Sequence, residues 1–177
     1  MQNNFDRTME HIFQWEGGFV DHPRDPGGAT NMGITIHTMR DLELDLDNDG
    51  DIDRNDVMLV TKELAKDIYK LRYWNAVDAD WFPDGLDAVL MDAAVNSGPR
   101  ASVRWLQRAL GATPDGILGP NTRAAVRASQ SLSEAINKVV DERLKSVRQF
   151  RNYDTFGRGW ENRIRSLRTL ALEMARE

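Results

Sequence analysis

The chain has 177 residues, 41% of them hydrophobic, a formal net charge of −5 and no cysteine. That length accommodates one domain with a substantial core or two closely packed lobes, and one compact unit is expected. The missing cysteines exclude a disulfide framework, thiolate catalysis and a cysteine zinc site, and the mild negative charge argues against nucleic acid as the main partner.

Apolar spacing is helical nearly throughout. Phe5, Met9, Ile12 and Phe13 form one stripe, Leu64, Ile68 and Leu71 a second, Leu86, Val89, Leu90 and Ala93 a third, and Val103, Leu106 and Leu110 a fourth that Gly111 closes. Ser131 and Glu134 have capping-box spacing, and Trp160, Ile164, Leu167, Ala171 and Met174 mark a last helix. The exception runs from Phe19 to Ile36. Pro23, Pro26, Gly27, Gly28 and Gly33 break helix there, and the pieces "FV" and "GITI" can pair as a small hairpin. The prediction is a mainly α protein with one small β-hairpin beside its first helix. Acids concentrate between Asp41 and Asp56, whereas Arg and Lys dominate from Arg100 onwards. The basic half suits either a solvated helix face or an anionic polymer.

The first helix ends in an acid. On a helical wheel Glu16 falls inside the apolar sector of Phe5, Met9, Ile12 and Phe13, and Gly17 and Gly18 follow as a left-handed stop. A carboxyl there loses water and meets the negative end of the helix dipole. Two roles fit: an ion pair with one of the later arginines, or a general acid. Asp25 follows across a Pro-bounded loop and Thr30 after "PGGA", so that one cleft can hold two carboxyl groups and a hydroxyl, the set that glycoside hydrolysis uses. Asp25 in "RDPGG" is also good turn chemistry. Tyr73 and Trp74 can offer a sugar a stacking face or simply pack, and Asn96 can bond substrate or cap its helix. His11, His22 and His37 lack metal-ligand spacing, so no zinc site is expected.

"DLDNDGDIDRND" puts acids at loop positions 1, 3, 5, 9 and 12, glycine at 6 and an aliphatic at 8, the EF-hand spacing. Asp45, Asp47, Asp49 and Asp53 would ligate Ca2+ through side chains or a water, Asp51 through its carbonyl and Asp56 as the closing carboxylate. Asp56 stands where the longer Glu is usual. A stabilising clip is expected rather than a sensor, because no second EF-hand accompanies the loop.

The pattern E-G-G-F-x-x-x-P-x-D-x-G-G-x-T-x-x-G-I-T, intact from Glu16 to Thr35, resembles glycoside hydrolase family 108, the bacterial and phage N-acetylmuramidases. The resemblance continues through "IYKLRYW", "DAAVNSG", "WLQRALG", "DGILGPNT" and "GWENR" and covers nearly the whole chain. It implies a lysozyme-like α+β fold over residues 1–177. Residues 1–111 would carry the catalytic motif and the calcium loop (45–56), and residues 112–177 would form a helical region resembling a peptidoglycan-binding one, packed in the same unit. The acid, acid, threonine order is similar to the triad of the T-even phage lysozymes and implies Glu16 as acid, with Asp25 and Thr30 managing a water. It further implies an endolysin-type monomer acting on peptidoglycan, with no cofactor for catalysis and no membrane insertion. The opening residues lack the features of a signal peptide, so the expectation is a soluble protein made in the bacterial cytoplasm and acting on the wall in the periplasm or outside the cell. The rivals are a non-catalytic peptidoglycan-binding or secretion-assisting protein on the same fold, and a calcium-responsive interaction module.

Overall fold

The computed structural model describes residues 2–21 and 28–177, with side chains from Asn4 onwards. The chain divides into two compact units, one of residues 9–69 and one of 1–8 with 70–177. The lysozyme-like, mainly α architecture expected from sequence is present.

Helix α1 spans Gln2–Trp15 and buries Phe5, Met9 and Ile12. It stops where predicted, but not as predicted: neither Gly17 nor Gly18 is left-handed, and a Cβ at either would meet nothing within 4 Å. In the unit of residues 9–69, β1 (Thr30–Asn31) and β2 (Ile34–Thr35) pair antiparallel, Thr30 opposite Thr35 and Asn31 opposite Ile34. The two-residue turn, Met32 and Gly33, has φ of 48° and 77°, the double left-handed geometry that matches strand twist. The hairpin expected between "FV" and "GITI" is thus re-partnered. Ile34 and Thr35 take Thr30 and Asn31, and Val20 adds only an isolated bridge to Thr30. Helix α2 (Ile36–Asp41) is capped by the Thr35 hydroxyl, which accepts from the Thr38 N–H. After the acidic loop come α3 (Arg54–Leu59) and α4 (Lys62–Tyr69).

In the other unit, Lys70–Trp74 coil as a π-helical segment, followed by 3₁₀ turns at Asn75–Val77 and Ala79–Trp81. The wider turn, bonding five residues apart, breaks the stripe begun at Leu64 and Ile68. Leu71 ends up 58% exposed while Trp74 turns inward. Helix α5 (Leu86–Ser97) is central, buried on every side from Leu86 to Ala94, as suits a helix apolar all round. It packs against α6 (Pro99–Ala109), α8 (Leu132–Val147) and α9 (Tyr153–Met174). Close packing at its start depends on Gly85, where a Cβ would lie 2.1 Å from the Ala171 carbonyl oxygen. Gly111 is left-handed and stops α6 as expected. Helix α7 (Pro120–Arg127) begins after a loop that Gln107 holds, donating to Asp115, the Ile117 carbonyl and Thr122 while accepting from the Gly116 N–H. Ser131 caps α8 by accepting from the Glu134 N–H. No helix among the described residues is long and apolar enough to cross a membrane.

Candidate active site and acidic loop

Glu16 lies one residue past α1, still tied to it by its N–H to the Ile12 carbonyl (3.0 Å), and is half-buried. The hairpin comes up to it. A Cβ built on Gly33 would sit 3.1 Å from a Glu16 carboxylate oxygen and 2.0 Å from the Tyr69 hydroxyl. Only glycine leaves both groups where they are. Tyr69 is 1% exposed, donates to the Met32 carbonyl (3.2 Å) and meets Phe13 edge-on at 6.1 Å. Gly33 and Tyr69 are therefore the floor under the acid. Sequence reasoning did not single out either as a site residue; the signal available was their place in the "GIT" and "IYKLRYW" motifs, since the pairing joins residues far apart in the chain.

Thr30 is half-buried in β1. Its backbone exchanges two hydrogen bonds of 2.8 Å with Val20, and its hydroxyl reaches the Gly28 carbonyl at 3.4 Å, a weak bond that leaves the oxygen's lone pairs free for water. Glu16 and Thr30 thus belong to one unit and one small substructure. Asp25, with His22, lies outside the described residues. The chain on either side of it is anchored to α3: Arg54 Nε lies 3.3 Å from Asp21 and its guanidinium 5.8 Å from the Phe19 ring, while Asn31 Nδ2 donates to the carbonyls of Val57 (3.1 Å) and Val60 (3.4 Å).

Helix α3 is in turn the exit helix of the acidic loop. Asp53 caps it and Asp56 closes the capping box. The loop is organised by carboxylate-to-backbone hydrogen bonds: Asp45 accepts from Asn48 and Gly50, Asp49 from Asp51, and Asp56 from Leu46 (2.6 Å) and Asp53 (2.8 Å). Gly50 takes the sharp turn at φ 95°. Carboxylate oxygens of Asp45, Asp47 and Asp49 lie within 4.8 Å of one another, and so do those of Asp51, Asp53 and Asp56. Their titration reflects the crowding. Loss of solvent, then the neighbouring acids, push Asp47 up; the charge of Asp49 leads the causes that push Asp51 up; the N–H groups of Asp53 and Leu46 hold Asp56 down.

The expected sugar-binding residues fare differently. Trp74 is 1% exposed, edge-on to Phe5 at 5.4 Å, with its indole N–H donated to Asp80. It has no open face for a sugar and is a core residue, rotated inward by the π segment. Tyr73 is half-buried. Asn96 is exposed in the last turn of α5 and accepts from Arg143 Nη2 at 2.5 Å. Arg143 also binds Asp92 (2.7 Å), which Arg163 holds from the other side (2.8 Å). Arg143, Asp92 and Arg163 are all buried, a charged core network that helical periodicity did not expose because "GWENR" reads as packing.

Residues 9–98 match the family described as Glycosyl hydrolase 108, and residues 101–165 match the one described as Predicted Peptidoglycan domain. The structure of Brucella abortus SagA is similar over 100% of this chain and 98% of that one, at 40% sequence identity and a TM-score of 0.85. No curated protein sequence matches.

Proposed function

Since the chain belongs to the glycosyl hydrolase 108 family and carries a predicted peptidoglycan domain, which make it a peptidoglycan hydrolase, we propose that it is an endolysin-type muramidase. The bond cut is the β-1,4 link between N-acetylmuramic acid and N-acetylglucosamine. Glu16 protonates the leaving oxygen, Asp25 orients or activates a water, and Thr30 helps to place it. The observation that carries this reading is the seating of Glu16: a half-buried carboxyl at a helix end, pressed against a glycine turn whose preceding strand bears Thr30. A mobile surface acid would need no such floor. Tyr73 is retained as a stacking residue, and Asn96 as a polar one at the far end of α5.

With an acid and a water-directing partner, the reaction inverts the anomeric centre. Inverting enzymes keep their carboxyls roughly 6.5 to 9.5 Å apart to admit the water, and retaining ones about 5 to 5.5 Å. The Asp45–Asp56 loop holds Ca2+ through Asp45, Asp47, Asp49, Asp53 and Asp56, with the carbonyl of Asp51; the ion supplies charge neutralisation and no chemistry. The spacing, the Gly50 turn and the two clusters of three carboxylates support this. The protein acts on the wall as a monomer.

The test is mass analysis of digested walls: new N-acetylmuramic acid reducing ends are expected. N-acetylglucosamine ends, anhydro ends or no products would each overturn the muramidase reading, the last in favour of a wall-binding or secretion-assisting protein. Following the first-released anomer of a soluble fragment by NMR tests inversion, for which an α-configured end is expected.

A further inference from the structure

Two cavities in the unit of residues 70–177 share Asn96, Ser97 and Phe150 on their walls. The larger, about 560 Å³, is open to Arg104 and Arg108; the smaller, about 160 Å³, ends on Arg143 and Trp160. Among the described residues, no Asp or Glu lines either one. Arg104 and Arg108 are exposed and have no ion-pair partner among the described residues. Arg143 is 1% exposed, and its Nε has no hydrogen-bond partner among them. Its carboxylate, Asp92, is shared with Arg163, so that two buried guanidinium groups face one buried anion. Buried donors without partners are costly unless something else satisfies them. The lining also carries aromatic rings: Phe150, 41% exposed, leans edge-on against Trp160 at 5.8 Å. Gln149 and Ser146 add amide and hydroxyl groups.

The two exposed guanidinium groups of Arg104 and Arg108, the unpartnered Nε of Arg143, amides and aromatic rings around cavities of this size fit a short extended peptide with free carboxylates. Arginine forks match planar carboxylates two bonds at a time, and the rings cover aliphatic side chains. We propose that this groove binds the carboxylate-bearing stem peptide of peptidoglycan, gripping the wall through its peptide rather than its glycan. The assignment rests on peptidoglycan being the substrate.

The experiment is calorimetric titration of the full chain, as Glu16→Gln, with the synthetic tripeptide alanyl-γ-glutamyl-diaminopimelate and with its fully amidated counterpart. The acid form is expected to bind saturably, and the amidated form at least about tenfold more weakly, as is usual for the loss of a charge-assisted bond. Arg104→Glu with Arg108→Glu is expected to weaken the acid form by at least about tenfold, and Arg104→Gln with Arg108→Gln by less, while the same changes in the active chain leave hydrolysis of a peptide-free glycan oligomer unchanged. Equal affinity for acid and amidated peptides, unaltered binding by a folded double variant, or binding of a phosphate-rich wall polymer in place of the tripeptide would overturn the proposal. The titration involves no cleavage, so its failure removes the groove alone; failure of the parent chain to cut walls removes the hydrolase reading alone.

Discussion

Glu16 is the proton donor of the proposed reaction. An amide keeps its shape but has no proton to give, so Glu16→Gln is expected to stay folded and to lose about 10² to 10⁴-fold in rate on walls. Activity near the parent level would remove it from the mechanism. Gly33 is the residue on which that acid depends. Alanine there takes a left-handed φ of 77° and drives a methyl into the Tyr69 hydroxyl and the Glu16 carboxylate. Gly33→Ala should cost about 1 to 3 kcal/mol, seen as a lower melting temperature, and lower the initial rate as well. A melting loss with the rate intact would mean that the floor is structural only. Glu16 and Thr30 stood out as candidates in the sequence because both sit in a compact motif. Their support did not: Tyr69 is placed by long-range packing that no local spacing encodes.

At the scale of elements, α3 joins two jobs. It begins on Asp53 and Asp56 of the acidic loop and holds Asp21 and Asn31 on either side of the segment that bears Asp25. Ca2+ at a hundred times its dissociation constant should add about 2.7 kcal/mol, a melting shift of roughly 5 to 10 °C for a chain of this size. Asp45→Ala with Asp49→Ala should abolish that shift and leave reduced wall hydrolysis at low temperature. An unchanged melting point on chelation would show the loop to be uncoupled from folding. At the other end of the chain, Glu161 accepts from Arg148 (2.7 Å), Tyr153 (2.6 Å) and Arg165 (2.9 Å), which hold its carboxyl down at about 2. A group whose folded value lies below the unfolded one stabilises above the ordinary carboxylate range and loses that contribution as pH falls towards 2. Glu161→Gln should therefore lower the melting temperature at pH 7 and leave it nearly unchanged near pH 2; an equal loss at both would refute the electrostatic account. Helices were legible element by element wherever 3.6-residue periodicity held. It failed at Leu71 and Trp74 because a π segment shifts the phase, and at the hairpin because a two-residue turn brought Thr30 and Asn31, rather than Phe19 and Val20, against β2.

For the whole molecule, no break in secondary structure marks residues 8/9 or 69/70, where the two units divide, since α1 and the stretch from α4 into the π segment run on through them. What differs is charge. Residues 9–69 hold 14 acids against 5 bases, and the remainder 18 bases against 14 acids. One unit is thus repelled by an anionic mesh and the other drawn to it. Salt screens both, over a Debye length of about 10 Å at 0.1 M. At low ionic strength the basic unit holds on and turnover is slowed by departure; at high ionic strength arrival fails. Hydrolysis of intact walls should therefore peak at an intermediate salt concentration, while hydrolysis of a peptide-free oligomer should show no such peak. A hydrolase charged in this way would be metered by its surroundings, quick to leave where ions are plentiful and slow to move on where they are scarce.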